Sequence, residues 1–236
     1  MRDLLRSAAT SGLLTVALLS SACTVDHIAP PMQGTGATLR VINAGDSPLS
    51  VDVDGTTRLS ALAPASVSGA IDIAPGARRV ALHPAAGGMA TVELSATAAR
   101  TSLVELHPVG ASGLSASAVA DTGAVPAAGM SKLRVLHLAA GEPAVDIWRV
   151  QPDYPSAVRL MFPFPLGAAS SYVQSTPGSW TVLVTTTLDR WATGSSTDPA
   201  AHAIAQLSLA IAADQARTVV FLDDGTGGVK LVAVPE

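Results

Sequence analysis

The chain has 236 residues, a formal net charge of −4 at pH 7, 48% apolar residues and 14% charged residues. This mild acidity argues against nucleic acid or an anionic bilayer surface as a binding partner, because both attract clustered lysine and arginine. The single cysteine, Cys23, excludes an intramolecular disulfide, so a buried core must stabilise the fold. The apolar content is sufficient for such a core.

The first 22 residues have the three parts of a secretory signal. Two arginines precede an apolar run at residues 13–19, and the small pair Ser21-Ala22 comes directly before Cys23. The run is shorter than the roughly 20 apolar residues that a transmembrane helix needs. The order resembles the lipobox of bacterial lipoproteins, except that Ser20 stands where that motif usually has leucine.

The lipobox resemblance implies a location and a membrane partner. In lipoproteins the cysteine takes a diacylglycerol and the preceding peptide is removed, so residues 1–22 are expected to be a lipoprotein signal peptide and Cys23 the lipidation site. Thr24 follows the cysteine, and a residue other than aspartate at that position is typical of sorting to the outer membrane. We therefore expect a lipid-anchored protein of the bacterial cell envelope, at the outer membrane. The alternative is an ordinary secretory signal cut near Ala22.

The remainder of the chain consists of a short tether followed by an internal repeat. Residues 23–37 contain Pro30-Pro31 and two glycines and show no period, which predicts a flexible tether. Two motifs then recur at a constant offset of 94 residues: Leu39-Arg40-Val41 with Val51-Asp52-Val53, and Leu133-Arg134-Val135 with Val145-Asp146-Ile147.

Three later segment pairs follow in the same order. They are Pro75-Gly76 with Pro177-Gly178, Leu94-Ser95 with Leu207-Ser208, and the segment Ala99-Arg100-Thr101-Ser102-Leu103-Val104 with Ala216-Arg217-Thr218-Val219-Val220-Phe221. Offsets that grow in small steps are expected when one domain is duplicated and its loops lengthen. The sequence thus predicts a first repeat at residues 38–122, a linker at 123–131 and a second repeat at 132–236.

Both repeats alternate apolar and polar residues, as in Val92-Glu93-Leu94-Ser95, which is typical of half-buried strands. Turn dipeptides such as Asp54-Gly55 and Asp224-Gly225 separate these runs. About seven short strands per repeat predict an all-β chain of two tandem immunoglobulin-like antiparallel β-sandwich domains. The motif order also resembles the bacterial domain of unknown function 4397 family, which implies a β-sandwich in an exported protein and no established activity. In the first repeat Asn43 stands where the family pattern has the histidine matched by His137, and Arg100 and Arg217 replace the family's usual aromatic residue.

Catalytic and metal-binding motifs are absent from the sequence. No Gly-x-Ser-x-Gly pentapeptide is present, and the five histidines show no metal-ligand spacing, so we expect no catalytic residues, no metal and no cofactor. Asp52 and Asp146 recur in the same frame of the two repeats, and a hydrogen bond from each to a neighbouring turn is the preferred interpretation. A site that gathers His137, Asp146 and another acid or a hydroxyl would instead indicate a hydrolase.

The aromatic residues are distributed asymmetrically. All eight lie in the second repeat: Trp148, Tyr154, Phe162, Phe164, Tyr172, Trp180, Trp191 and Phe221. Trp180 and Phe221 stand in strand-like runs and are expected in the core. The other candidates surround a proline-rich insertion, which must be a loop or an edge strand because proline cannot occupy a central strand. Trp148, Tyr154, Phe162 and Phe164 are the candidate binding residues, with packing over the sandwich as the alternative.

Together these patterns predict a non-catalytic protein that acts as a structural or protein-interaction module, with its specific contacts in the second repeat. Binding of a glycan or cell-wall polymer through the aromatic insertion is the second hypothesis. A hydrolase is a distant third.

Overall fold

A computed structural model describes residues 36–109, 113–119, 125–150, 157–187 and 198–234. Cys23, Tyr154 and Trp191 lie outside these ranges, so the predictions made for them are untested. The described chain is built almost entirely of strands, which confirms the prediction of an all-β sandwich fold. No helix within these ranges is long and apolar enough to cross a membrane.

Nine strands belong to the described part of the first repeat. They are β1 (Ala37–Asn43), β2 (Leu49–Val53), β3 (Thr56–Leu62), β4 (Ser66–Val67), β5 (Ile71–Ile73), β6 (Gly76–Pro84), β7 (Ala90–Ala96), β8 (Thr101–Val109) and β9 (Gly113–Val119). They form an outer sheet in the order β3-β2-β6-β7 and an inner sheet in the order β4-β1-β8-β9, with β5 also pairing with β1.

The second repeat follows the same plan. Its strands are β10 (Ser131–His137), β11 (Ala144–Val150), β12 (Val158–Pro165), β13 (Val173–Ser175), β14 (Gly178–Thr186), β15 (Ala203–Ile211), β16 (Ala216–Asp223) and β17 (Val229–Ala233), with a 3₁₀ turn at Pro199–His202. The inner sheet has the order β13-β10-β16-β17 and the outer sheet the order β12-β11-β14-β15. Strand pairing between described residues stays within one repeat, although the domain boundaries themselves remain a prediction.

Each inner sheet contains one parallel pair, β1 with β8 and β10 with β16, whereas the sequence analysis anticipated antiparallel pairing throughout. Alternating polarity reports which face of a strand is buried and carries no information on the direction of its neighbour. Parallel strand pairs occur mainly in sheets that are covered on both faces. The inner sheets are such sheets, because β1 and β10 are buried along almost their whole length.

The sandwiches are stacked so that the two inner sheets face each other. Within each repeat the inner and outer sheets enclose one apolar core. A third core lies between the repeats and draws its buried side chains from β1, β8, β10 and β16 and from the residues that follow β1, β10 and β17: Ile42, Ala44, Leu103, Leu136, Leu138, Val220, Leu222 and Val234. Residues from Gln33 to Glu236 consequently form one compact unit.

The predicted turns lie where the sequence places them. Asp54 and Gly55 connect β2 to β3, and their φ angles of 52° and 78° fit the tight hairpin turns that match strand twist. The Asp54 carboxylate accepts hydrogen bonds from the backbone N–H of Arg79 and from the guanidinium of Arg78, at 2.9 Å each. These bonds, the backbone one first, lower the pKa of the Asp54 carboxyl.

Strand register corrects two of the repeat matches by two residues. Leu94 stands opposite Arg78 and Leu209 opposite Trp180, so Leu94 corresponds to Leu209 and not to Leu207. In the parallel pairs, Arg40 is opposite Leu103 and Arg134 is opposite Thr218, so Thr218 corresponds to Leu103 and not to Thr101. A shift of two residues preserves the strand face, and so alternation alone could not detect it.

A serine recurs at the edge of both inner sheets and was not recognised in the sequence; Ser68 is buried and Ser170 is half-buried. Ser68 Oγ accepts a hydrogen bond from the N–H of Val41, and Ser170 Oγ accepts one from the N–H of Val135, both at 2.9 Å. Each serine backbone N–H also donates to the carbonyl of the same valine. In the first repeat this serine satisfies the edge of β1 between its pairings with β4 and β5.

Candidate functional site

Strand β12 is an edge strand, as its prolines predicted, because it pairs with β11 alone. On it, Phe162 is the one aromatic side chain among the large hydrophobic residues that are exposed in the described ranges, with 60% of its surface accessible. We name the surface formed by Trp148, Arg159 and Phe162 the aromatic edge.

Arg159 organises the aromatic edge. Its guanidinium carbon lies 3.8 Å from the centroid of the Phe162 ring and 5.6 Å from that of the Trp148 ring. The indole of Trp148 is also held by a hydrogen bond, because its Nε1–H donates to Thr185 Oγ1 at 3.0 Å. A cation above an aromatic face is attracted to the ring and holds it in place.

Each of the two recurrent acids, Asp146 and Asp52, contacts a side chain on a neighbouring strand. Asp146 is buried, and its Oδ2 accepts a hydrogen bond from Arg159 Nη1 at 3.3 Å. Asp52 is more exposed, and its Oδ2 lies 3.2 Å from His83 Nε2 on β6. Each acid thus contacts a basic side chain from the adjacent strand, Arg159 on β12 or His83 on β6, and the predicted hydrogen bond to a neighbouring turn stays a prediction.

Phe164 does not belong to the aromatic edge. Its side chain is only 7% exposed and packs in the second core, with its ring centroid 6.1 Å from that of His137. A β-bulge explains why Phe162 and Phe164 face opposite ways: Val145 pairs with Phe164 and Ile147 with Met161, so β12 has one extra residue at this point. Strict alternation would have placed the two phenylalanines on one face.

His137 is a core residue. It is fully buried, its ring lies 5.1 Å from that of Phe221, and neither ring nitrogen has a hydrogen-bond partner in the described part of the chain. Burial lowers the pKa of His137 to about 4, against weaker opposing effects of the Glu142 backbone and the Asp223 charge. The hydrolase arrangement of His137 with Asp146 and a hydroxyl is thus not found in the described residues.

At the equivalent position of the first repeat, Asn43 is also buried but fully engaged. Its Nδ2 donates to the carbonyls of Ser47, Leu62 and Ala63 at 2.9 to 3.1 Å, and its Oδ1 accepts from the N–H of Gly45. The Asn43 amide closes this loop with hydrogen bonds, whereas the His137 ring packs against the rings of Phe164 and Phe221. The two equivalent positions therefore have different structural roles.

Trp180 and Phe221 are both fully buried, which confirms the prediction that these two aromatic residues belong to the core.

A cavity of about 410 Å³ opens where the inner sheets meet, and we name it the inter-repeat cavity. Glu105 and Ser117 of the first repeat line it on one side, and Arg134, Ser171 and Tyr172 of the second repeat line it on the other. The guanidinium of Arg134 stacks over the Tyr172 ring at 4.7 Å, and its Nε–H donates to Thr218 Oγ1 at 2.9 Å.

Glu105 is the charged group at the first-repeat wall. It is buried, and its Oε1 accepts a hydrogen bond from Ser117 Oγ at 2.7 Å. Burial raises the pKa of the Glu105 carboxyl to about 6, although the Ser117 bond acts in the opposite direction. Sequence analysis missed this residue. Its only signal is an acid within the apolar run Leu103-Val104-Glu105-Leu106.

No cluster of three or more histidine, cysteine or acidic side chains that could hold a metal ion is found among the residues that the structure describes.

Comparisons with known proteins identify a family and little else. The model of the family described as a domain of unknown function, DUF4397, matches residues 37–148, which cover the first repeat and end within β11. No curated protein matches the chain. The chain is similar to a solved leucine-rich repeat protein from Bacteroides thetaiotaomicron VPI-5482 at 11% identity and a TM-score of 0.19, over 78% of this chain and 26% of that one. A likeness this low carries no argument about the fold or function of this chain.

Proposed function

Residues 37–148 match the DUF4397 family, and from this premise we propose that the chain is a non-catalytic, lipid-anchored protein of the cell envelope that binds a partner protein through its aromatic edge. The observation that carries the proposal is the exposed Phe162 ring held against Arg159 at 3.8 Å on an edge strand.

The chemistry of the aromatic edge supports protein recognition. Aromatic and arginine side chains are enriched in protein interfaces and contribute most of the binding energy there. Phe162 is held in place before binding, since Arg159 is itself bonded to the buried Asp146, so little entropy is lost when a partner covers the ring. Pro163 and Pro165 have no backbone N–H to donate, so β12 offers an interrupted row of hydrogen-bond donors. This disfavours non-specific pairing of another strand with this edge.

Replacing Phe162 with alanine is expected to reduce capture of the envelope partner at least tenfold. The full chain is used as bait in detergent-solubilised envelope extract, and proteins cross-linked to it are quantified by mass spectrometry. Met89→Ala is the matched control, because Met89 is 59% exposed on the first repeat and should leave capture unchanged. Equal capture by the wild type and F162A would rule out the aromatic edge as the binding surface.

The anchor is tested separately. The mass of the mature chain isolated from bacterial membranes is expected to show cleavage before Cys23 and added acyl groups on that residue. If the mature chain begins near residue 23 and its cysteine carries no acyl group, the protein is an ordinary exported protein and the proposed lipid anchor is wrong.

Glycan binding is the second candidate, because the face of Phe162 away from Arg159 can stack on a sugar ring. Purified peptidoglycan and protease-treated envelope extract distinguish the two. If the wild-type chain is retained on these two materials and F162A is not, the ligand is a glycan. If protease treatment of the extract removes what the wild-type chain captures, the partner is a protein.

A further inference from the structure

The interface between the repeats contains an acid that the apolar packing does not explain. On β8, Val104 and Leu106 face the first core, while Leu103 and Glu105 face the second repeat. Leu103 packs in the core between the repeats, and Glu105, two residues later on the same strand face, borders the inter-repeat cavity. The buried carboxyl therefore lies at a place where the two repeats leave a space and do not close on each other.

Glu105 has few partners of its own. Ser117 donates to Oε1, and His107 Nδ1 lies 3.8 Å from the same oxygen, which is too long for a hydrogen bond. Burial lowers the pKa of His107, which disfavours a positive charge on its ring. Within the described ranges, no hydrogen bond reaches Oε2 and no lysine or arginine lies within ion-pair distance of the carboxylate.

A buried carboxylate without a positive partner is unfavourable, and a cation that reaches it gains a strong, charge-assisted hydrogen bond. The cavity is large enough for such a cation, since small-molecule sites begin at about 300 Å³. Hydroxyls of Ser117, Ser171 and Tyr172 line the same space and can orient a polar ligand. These groups come from both repeats, so only the assembled pair of sandwiches forms the site.

We propose that the inter-repeat cavity binds a small organic molecule through a primary ammonium group, with Glu105 Oε2 as the acceptor and the hydroxyl-lined wall of the second repeat around its remainder. This site is separate from the aromatic edge and requires no partner protein. Two sources share the chemistry: a simple alkylamine, and a zwitterion whose carboxylate points toward the Arg134 wall.

The test titrates the isotopically labelled full chain in nonionic detergent at pH 7.5 with n-butylammonium, n-butanol and butyrate, which have nearly the same size and differ in charge. Saturable shifts of the Glu105 and Ser117 amide signals are expected for n-butylammonium at about 1 to 10 mM, as suits about five heavy atoms. The alcohol and the carboxylate should bind at least tenfold more weakly. Adding 4-aminobutyrate identifies the source, because tighter binding than n-butylammonium indicates a zwitterion.

Glu105→Gln is the decisive variant, since it keeps the shape and the bond from Ser117 but removes the charge. Its affinity for n-butylammonium should fall at least tenfold, while Met89→Ala, at an exposed position of the first repeat, should keep the wild-type affinity. Equal binding of the alcohol and the amine by the wild type, an unchanged affinity in E105Q, or no saturable shift with any probe would each overturn the proposal. The comparison of probes on the wild type stands even if E105Q folds poorly.

Discussion

Replacing Phe164 with alanine is expected to lower the free energy of unfolding by about 3 to 5 kcal/mol, the usual cost of removing a buried phenyl ring. The ring is 7% exposed and packs in the second core beside His137, so the substitution leaves a cavity that the sheets cannot close. Urea unfolding followed by intrinsic tryptophan fluorescence measures the change, because Trp180 is fully buried in the same core.

Phe162→Ala is the internal comparison for this prediction. Phe162 is two residues away in sequence and exposed, so its removal should change the free energy of unfolding by no more than about 0.5 kcal/mol. Similar losses in F162A and F164A would mean that the bulge in β12 is absent and that both rings share one face.

The stability of the protein is expected to fall by about 3 kcal/mol between pH 6.5 and pH 4 through His137 alone. Burial holds the pKa of the folded His137 at about 4, whereas an exposed histidine has a pKa of 6.5. The unfolded chain therefore binds more protons in this window, and each pH unit costs about 1.4 kcal/mol of stability as the pH drops. Above pH 6.5 this contribution is fully present.

Glu105 acts in the opposite direction and must be separated from His137. Its pKa is raised from 4.5 to about 6, so its destabilising effect of about 2 kcal/mol is absent below pH 4.5 and develops as the pH rises to about 6. His137→Leu retains Glu105, and the difference between wild type and variant in urea unfolding from pH 4 to 7.5 isolates His137. Parallel pH profiles for the two proteins would show that the His137 ring is hydrated or hydrogen-bonded in solution.

Much of the fold follows from local patterns. The turn at Asp54-Gly55 requires positive φ angles that these residue types tolerate, and the structure has them. The repeated strands β1 and β10 begin one residue before the predicted boundaries, at Ala37 and Ser131. Such features depend on neighbouring residues in the chain, which is why composition and period could predict them.

The candidate site depended on long-range register. Phe162 and Phe164 look equivalent in sequence, and only the bulge against β11 separates a surface ring from a core ring. Asp146 meets Arg159, 13 residues away, through the pairing of β11 with β12. No periodicity encodes an extra residue in one strand or the partner of a given acid.

The sequence by itself determined the all-β character, because alternation and turn chemistry are local, and it fixes the concentration of aromatic residues after residue 147. It also carries the lipobox-like context of Cys23, on which the proposed anchor rests. Only the tertiary structure decided that each inner sheet contains one parallel strand pair and that the two inner sheets pack on each other. It also decided that Glu105 is buried beside a cavity. These features arise from contacts between residues far apart in the chain, where burial and charge are set by the opposing sheet and not by the strand that carries the residue.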